Sequence, residues 1–385
     1  MSPSGRPKTE PTPKPSTAPK LAVFLTAPPG LEPLLRAEAE AQGFAPAKAV
    51  PGGVEIFGGW PEIWRANLEL RGATRVLARI AEFRALHLAQ LDKRARRVAW
   101  GEVLRPDIAV RIDATCTRSR IYHAGAAAQR VARAVTDVLG ASVSPDADLR
   151  LLVRIEDDLC TISVDTSGAP LHQRGTKQQV GKAPLRESLA ALFLRAAGFD
   201  GAEPVVDPMC GSGTFPLEAA SLMVGQQPGA SRGFAFQDLA TYDEKAFAGF
   251  QRPATPAGGP CRAWGYDRDQ GVIAAATANA QRADLTRITT FHCQPISALR
   301  PPTATPGLLI TNPPYGARIG NKTALRSLYF SFGDTVLRHF SGWRVAFVTS
   351  EPGLARATGL PINETGPPVP HGGLKIRLYQ TDPLP

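Results

Sequence analysis

From Leu21 onward, the hydrophobic and polar positions of the chain follow strand and helix periods in turn. The pattern predicts strands over 21–26, 54–57 and 74–83 and helices over 31–42 and 61–68. Gly43 ends the first helix, since glycine readily adopts the left-handed conformation that often follows one. Strands that alternate with helices in this order predict a small ferredoxin-like α+β domain, which we place at residues 21–85.

A second module is predicted over residues 86–166. Its predicted elements are a basic helix that ends near Trp100, a strand over 108–113, a helix over 124–139 and a hairpin over 149–164. The turn of the hairpin contains Asp157 and Asp158, between two runs in which apolar residues alternate with polar ones. Residues 167–200 are expected to form a linker and a helix whose apolar face contains Leu185, Leu189, Leu192 and Ala196.

The remaining residues, 201–385, show the strand–loop–helix pattern of an open α/β sheet. Val205 and Val206 begin a strand that ends at Asp207, and Pro216 suits the first turn of the next helix, where its missing N–H is not needed. Further strands are predicted over 264–267, 288–293, 307–310, 343–350 and 374–379, with helices over 271–282 and 325–336 and an irregular insertion over 225–260. We expect the last strand to be antiparallel to one before it.

The composition predicts a globular protein of two or three domains without a transmembrane segment. Of its 385 residues, 43% are hydrophobic and 20% charged, and its longest apolar runs are too short to span a bilayer. The five cysteines include no C-x-x-C pair, which argues against a zinc site or a disulfide framework and suits a reducing compartment. We therefore expect a soluble, cytoplasmic protein that binds no metal.

The net charge of +10 and the pI near 9.6 are typical of a protein that binds a polyanion. The general basicity of an Arg-rich protein gives the same figures, so charge alone does not separate the two interpretations. Residues 1–20 hold six prolines, four basic residues and one acid, without the apolar segment of a signal peptide. We expect these residues to form a disordered basic tail.

The loop after the strand 205–207 combines an acid with two glycines, in the order Asp207-Pro208-Met209-Cys210-Gly211-Ser212-Gly213-Thr214. Its spacing differs from the G-x-G-x-x-G fingerprint of dinucleotide folds, and no lysine completes a P-loop. A carboxylate at a strand tip repels phosphate but accepts a hydrogen bond from an ammonium group. This favours S-adenosylmethionine (SAM), whose methionine end has an α-amino group. For this stretch alone, an ordinary βα turn with glycines for tight packing is an equal alternative.

A second loop follows the buried strand 307–310 and contains Thr311-Asn312-Pro313-Pro314-Tyr315-Gly316. Its two prolines stop the strand pairing and fix the turn. They hold Asn312 and Tyr315 at the carboxyl end of the strand, where open α/β sheets bind ligands. A Pro-Pro turn with a packed tyrosine is the alternative, which the position of Asn312 in the same predicted sheet as Asp207 disfavours.

Together the two loops resemble motifs I and IV of the class I SAM-dependent methyltransferases that alkylate exocyclic amino groups. The resemblance implies a Rossmann-like α/β fold for residues 201–385 and SAM as the cofactor. It implies cofactor contacts from Asp207, Met209, Cys210, Gly211, Ser212, Gly213, Thr214 and Asn312, and a catalytic set of Asn312, Pro313 and Tyr315.

Two further loops complete the predicted cofactor site. Asp267 and Arg268 follow the second strand, and we choose Asp267 to bind the ribose hydroxyls because Asp269 stands where the next helix would be N-capped. After the third strand, members of the family place an acid that binds the adenine amino group, whereas this chain has Pro295. Gln294 beside it can accept a hydrogen bond from that amino group through its amide oxygen.

A basic segment after the strand 108–113 is predicted to bind RNA. Arg118 and Arg120 are interleaved with Tyr122, and Arg130 follows on the next helix, a composition suited to RNA phosphates and bases. The segment 86–165 resembles a THUMP domain, an RNA-binding module.

The linker strengthens this resemblance. Leu171-His172-Gln173-Arg174-Gly175 and Ala183-Pro184-Leu185-Arg186-Glu187 resemble a signature of the bacterial large-subunit rRNA guanine-N2 methyltransferases, much of which the tRNA guanine-N2 enzymes share. The resemblance extends from about residue 21 to the C-terminus. It implies an α+β ferredoxin-like and THUMP module in front of the methyltransferase domain, with rRNA as the partner and tRNA as the alternative.

The resemblance implies methylation of the exocyclic N2 of a guanine in 23S rRNA. The side-chain oxygen of Asn312 and the carbonyl of Pro313 would accept from the amino group and turn its lone pair out of conjugation, while Tyr315 would stack on the flipped base. Motif IV does not separate guanine N2 from adenine N6 or a protein glutamine. A different class, an RNA-binding assembly factor with an inactive methyltransferase fold, is supported only by Pro295.

Overall fold

The computed structural model describes residues 20–177, 185–254, 262–316 and 322–385. The expected basic tail lies almost entirely outside these residues, as do Ala183 and Pro184 of the linker signature. The N-terminal elements are β1 (Leu21–Thr26), α1 (Glu32–Ala41), β2 (Lys48–Val50), β3 (Gly53–Gly58), α2 (Trp60–Glu69), β4 (Arg75–Arg84), α3 (Leu88–Ala95), β5 (Val110–Thr117), α4 (Ala124–Leu139), β6 (Leu149–Glu156) and β7 (Leu159–Asp165).

These strands form one seven-stranded sheet in the order β2-β3-β1-β4-β7-β6-β5. Strand β4 is antiparallel to β1 on one side and to β7 on the other, so a single hydrogen-bonded sheet crosses from residues 21–85 into 86–166. The short strand β2 was not predicted, because three residues are too few to show a period. Strands β5 and β6 are parallel and are joined through α4.

One sequence prediction needs correction in this part. The basic helix does not continue to Trp100 but ends at Ala95, and Trp100 begins a separate 3₁₀ turn over 100–102. The indole of Trp100 is buried and donates to the Ala95 carbonyl at 3.0 Å. Burial of this ring folds the chain back against the end of the helix.

The C-terminal elements are α5 (Glu187–Ala196), β8 (Val205–Asp207), α6 (Thr214–Met223), α7 (Glu244–Ala248), β9 (Ala263–Asp267), α8 (Gln270–Arg282), β10 (Thr289–Cys293), β11 (Leu308–Thr311), α9 (Lys322–His339), β12 (Arg344–Thr349), α10 (Pro352–Ala357), β13 (Ile362–Thr365), β14 (Val369–His371) and β15 (Leu374–Thr381). The second sheet has the order β10-β9-β8-β11-β12-β15-β13, and β14 pairs with β15. Its first five strands are parallel, and β15 is antiparallel to β12, as expected.

The strand order reverses between β8 and β11, and this reversal positions the site. In an open parallel sheet, the loops that leave two such strands diverge and open a crevice at their carboxyl ends. The loop after β8 begins at Asp207, and the loop after β11 contains Asn312. The two loops predicted from sequence therefore flank the same crevice.

Buried groups join the two halves of the chain. Glu218, on α6, accepts from Arg71 at 3.4 Å and from Arg174 at 3.1 Å; Glu218 and Arg174 are buried, and the Arg71 side chain is 11% exposed. The insertion adds apolar contact, because Phe234 and Phe236 stack at 5.0 Å and Phe236 contacts Trp64 of α2. One hydrophobic core extends from β1 to β15.

Candidate active site

Asp207 ends β8 inside the protein, with 2% of its surface exposed. Its Oδ1 accepts from the backbone N–H of Met209 at 3.1 Å, and no basic side chain among the described residues forms an ion pair with it. Burial raises the pKa of Asp207 to about 7, because the charged form loses hydration. A buried carboxyl without a cation fits a ligand that brings its own ammonium group.

The glycine loop after Asp207 is shaped by its backbone. Gly211 and Gly213 have φ of +52° and +89°, in the left-handed region that favours glycine. The N–H of Gly211 donates to Oδ2 of Asp267 at 3.0 Å, which fixes the loop against the end of β9. A Cβ on Gly213 would lie 3.2 Å from the Phe291 ring and the Ala276 methyl. The loop therefore requires glycine for both conformation and space.

Three side chains of this loop are buried in the protein. Cys210, Ser212 and Thr214 are each less than 9% exposed, while Met209 is half-buried. Thr214 Oγ1 accepts from Lys177 Nζ at 2.7 Å, and Lys177 also pairs with Glu187 at 2.9 Å. Any ligand contact from Cys210 and Ser212 is therefore expected from backbone atoms. Lys177 was not predicted, because its contact with Thr214 depends on tertiary packing.

Asp267 lies at the end of β9, at the strand tip where the sequence predicted it, and is half-buried. Its Oδ1 accepts from the N–H of Asp269 at 3.1 Å, and each carboxylate oxygen keeps a lone pair for a hydroxyl donor. Asp269 caps α8 through the N–H groups of Gly271 and Val272, which supports the choice of Asp267. Arg268 is exposed. Gln294 is half-buried, and its N–H donates to the Asp267 carbonyl at 2.9 Å, whereas Pro295 is exposed.

The loop after β11 presents a polar atom without a partner. Oδ1 of Asn312 is buried and has no hydrogen-bond partner among the described residues. A buried acceptor without a donor is costly, so a ligand donor there would restore the lost free energy. Pro313 is buried, and the loop is held at Gly316, whose N–H donates to Oε1 of Glu351 at 3.2 Å.

Tyr315 is half-buried and packs against both large hydrophobic clusters. Burial raises its pKa to about 12, so the phenol stays protonated at neutral pH. The packed part of the ring cannot contact a ligand. Stacking on a base therefore depends on the part that remains exposed.

The predicted RNA-binding residues lie on the surface of the N-terminal half, but their charges are partly neutralised. Arg118 pairs with Glu156 at 2.6 Å and with Asp157 at 3.1 Å. The backbone N–H of Arg120 donates to Asp158 at 2.8 Å, and its guanidinium lies 3.9 Å from the same carboxylate. The acidic turn between β6 and β7 thus offsets the two arginines.

Tyr122 and the helices α3 and α4 offer a more open surface. Tyr122 is 84% exposed, and α3 packs beside α4. Within the described ranges, no ion pair involves the exposed cations Lys93, Arg94, Arg97 and Arg133 or the half-buried Arg130. Arg96 differs from them, because it pairs with Asp92 and Asp137. The sequence showed the cations but not which of them lacked acidic neighbours.

Family models match three consecutive parts of the chain. An RlmL ferredoxin-like domain matches residues 22–77, a THUMP domain matches 87–165, and an RMKL-like methyltransferase domain matches 174–363. Among curated relatives, an RNA methyltransferase candidate of Synechocystis sp. is 32% identical over 92% of this chain and 96% of its own length. The chain therefore belongs to the RMKL-like family of SAM-dependent methyltransferases. The inferred ferredoxin-like, THUMP and Rossmann-like folds are thereby confirmed.

A ribosomal RNA large subunit methyltransferase K/L of Syntrophotalea carbinolica is 38% identical over 93% of this chain. The match covers 53% of that protein, so the chain spans about half the length of such K/L relatives.

Among solved structures, SMU.472, a methyltransferase candidate complexed with SAH, superposes with a TM-score of 0.85 at 23% identity, covering 96% of this chain and 100% of that one. At this identity the similarity supports the fold. Among the described residues, no helix is long and apolar enough to cross a membrane.

Proposed function

We propose that this protein is a cytoplasmic SAM-dependent RNA methyltransferase that modifies the exocyclic N2 of a guanine in 23S rRNA. The observation on which the proposal mainly rests is the buried Oδ1 of Asn312, which has no partner in the described part of the chain and lies at the crevice that Asp207 also borders. The K/L relatives, which are named for large-subunit rRNA, favour that substrate.

The residues around the crevice suit SAM. We assign the methionine ammonium to Asp207, the methionine end to the backbone of Met209, Gly211 and Gly213, and the ribose hydroxyls to Asp267. Bound there, SAM supplies a methyl group on a cationic sulfonium centre. Gln294 is assigned to the adenine amino group, in place of the acid that Pro295 replaces.

Asn312 acts on the nucleophile. Its Oδ1 and the Pro313 carbonyl accept the two N–H groups of the target amine, which turns the nitrogen lone pair out of conjugation with the ring. No strong base is required beforehand, because an alkylated cationic nitrogen is far more acidic than the neutral amine. The contribution of these two acceptors is positioning and fixed dipoles, which need no reorganisation.

The first experiment separates this role from a structural one. Asn312→Ala should fold and bind SAM and RNA nearly as the parent does, while single-turnover methyl transfer falls by roughly 10²–10³, the usual cost of one preorganised polar partner. Asn312→Asp keeps an acceptor and should lose less. Transfer from labelled SAM to protein-free large-subunit rRNA is measured beside thermal melting. Near-parental transfer with lowered stability would assign Asn312 a packing role.

The product distinguishes the remaining candidates. Nucleoside mass spectrometry of the treated rRNA should show N2-methylguanosine. N6-methyladenosine would favour the adenine alternative, and methylation of tRNA but not rRNA would favour a tRNA substrate. An absence of SAM binding by calorimetry would favour the inactive assembly factor.

A further inference from the structure

A cavity of about 650 Å³ lies where the linker, the insertion and the start of α5 meet. Its lining includes a set of charged or titratable side chains: His172, Arg174, Lys177, Arg186, Glu187 and Arg232. Cations clearly outnumber acids in this set. The cavity is distinct from the crevice between β8 and β11.

The positive charges in the cavity are only partly balanced. Lys177 pairs with Glu187, and Arg174 pairs with Glu218. Within the described residues, neither Arg186 nor Arg232 forms an ion pair with a carboxylate. The five N–H groups of the Arg232 guanidinium instead donate to five backbone carbonyls, those of Ser167, Ala169, Pro170, Gln173 and Gly233. Two positive charges therefore remain for a ligand to neutralise: Arg186 can donate to it directly, whereas Arg232 contributes charge only.

His172 lies in the same positive field. Its Nδ1 is buried and has no hydrogen-bond partner among the described residues. Burial and the neighbouring guanidiniums, Arg186 first, lower the pKa of His172 to about 4, so the ring is neutral. A neutral imidazole can donate one N–H to an anion. The first turn of α5 adds to the field, because its N-cap residue, Arg186, provides no side-chain cap.

The cavity reaches the cofactor loop through Lys177, which lines the cavity and donates to Thr214 Oγ1 at 2.7 Å. Burial and the nearby Arg186 lower the pKa of His371, on β14. His371 pairs across the hairpin with Leu374, and a Cβ on Gly316 would lie 3.1 Å from Leu374 Cδ1. The cavity therefore lies beside the loop that follows β8, and the hairpin that contains His371 and Leu374 approaches the Asn312 loop at Gly316.

We propose that the cavity formed by His172, Arg186 and Arg232 binds a backbone phosphate of the RNA substrate close to the target nucleotide. Phosphate suits this site because guanidinium and imidazole groups are its common partners, and the linker signature supplies two of the three residues. The identification of the anion as RNA rests on the proposed function. The site would hold the RNA between its THUMP contacts and the crevice.

The test is the salt dependence of RNA binding. Arg186 is exposed and makes no ion pair, so Arg186→Gln should fold. It should weaken binding of a short fluorescein-labelled RNA hairpin roughly tenfold at low salt and reduce the slope of log K against log salt by about 0.7–0.9. Arg186→Lys should restore most of the slope. SAM affinity by calorimetry should not change. The matched control is Arg287→Gln, an exposed arginine that is not part of the cavity lining and makes no ion pair among the described residues.

Each outcome decides the proposal independently of catalysis. An unchanged slope in Arg186→Gln overturns it, even if inorganic phosphate binds the parent, because the cavity would then bind free anions only. An equal loss in Arg287→Gln also overturns it, since the effect would be general charge. If the slope falls as expected while the parent methylates no RNA, the cavity binds RNA and the proposed reaction is wrong.

Discussion

At the scale of single residues, Asp207 links the cofactor site to pH. Its pKa is about 7 in the folded protein and 3.8 in the unfolded reference, since burial favours the neutral form. A neutral Asp207 is compatible with burial, so its effect on the free energy of unfolding is most favourable below about pH 4. This favourable effect is lost progressively as the pH rises from about 4 through 7, because the unfolded state then ionises more readily than the folded state. The loss is on the order of 4 kcal/mol without ligand.

We predict that Asp207→Asn removes this dependence. The difference in unfolding free energy between parent and variant, measured by urea denaturation at several pH values, should change between pH 5 and 8, with the parent relatively less stable at the higher pH. Asp284→Asn, an exposed carboxyl, should change nothing. A constant difference would mean that folding does not raise the pKa of Asp207.

Bound SAM should offset the stability that is lost when Asp207 ionises, because the ammonium group of SAM pairs with the carboxylate. The increase in melting temperature that saturating SAM produces should therefore be larger at pH 8 than at pH 6 in the parent. In Asp207→Asn, the increase should be small at both. A larger increase at pH 6 would contradict the pairing of Asp207 with the ligand ammonium.

Single residues also show where sequence inference stops. The positions of Asp207 and Asn312 at strand ends were predictable, because an apolar strand followed by a Gly or Pro-Pro loop fixes where the strand stops. The pairing of Arg118 with Glu156 and Asp157 was not predictable. Arg118 and Glu156 are 38 residues apart in sequence, and the pairing of β5 with β6 brings them together. The contacts of Lys177, His172 and Arg232 likewise come from packing between segments that are distant in sequence.

At the scale of elements, α6 connects the cofactor loop to the N-terminal half. It begins at Thr214, directly after Gly213, and presents Glu218 to two largely buried arginines. Burial lowers the pKa of Arg71, and the nearby Glu218 opposes this shift. A carboxylate shared by two largely buried cations is expensive to lose, because both would remain without a counter-charge.

We predict that Glu218→Gln lowers the free energy of unfolding by roughly 3–5 kcal/mol, the usual cost of leaving a buried charge unpaired. Glu203→Gln is the control, since Glu203 pairs with Arg344 at a half-exposed position and should cost about 1 kcal/mol or less. Both values come from urea denaturation at pH 7. Equal losses in the two variants would show that the pairing of Glu218 with Arg71 and Arg174 does not stabilise the contact between α6 and the N-terminal half.

The elements themselves were largely predictable, because most are long enough to show a period. Helix α4 has the predicted bounds, Ala124–Leu139, and α8 begins within one residue of its prediction. The failures include β2, α7 and α10, which are too short to show a period, and the end of α3, where burial of Trp100 overrides the helical pattern. Helix α7 lies within the insertion that was predicted to be irregular. The continuous first sheet was also missed, since the pairing of β4 with β7 depends on tertiary structure.

At the scale of the whole molecule, one hydrophobic core joins both halves. We predict a single calorimetric unfolding transition, although chains of several domains commonly show more than one. SAM should raise that whole transition, because a ligand of the native state stabilises everything that unfolds with its site. Separate transitions, with only one shifted by SAM, would show that the halves unfold independently.

The pairing of β4 with β7 has a consequence for protein engineering. A chimera that exchanges RNA specificity between relatives would naturally be cut in the gap between the two N-terminal family matches, near residue 80. That cut passes through β4 and would expose the ladder groups of two sheet edges, a known cause of aggregation. A transferable unit would instead include residues 21–165 as one block, together with the Arg71 and Arg174 contacts that attach it to α6.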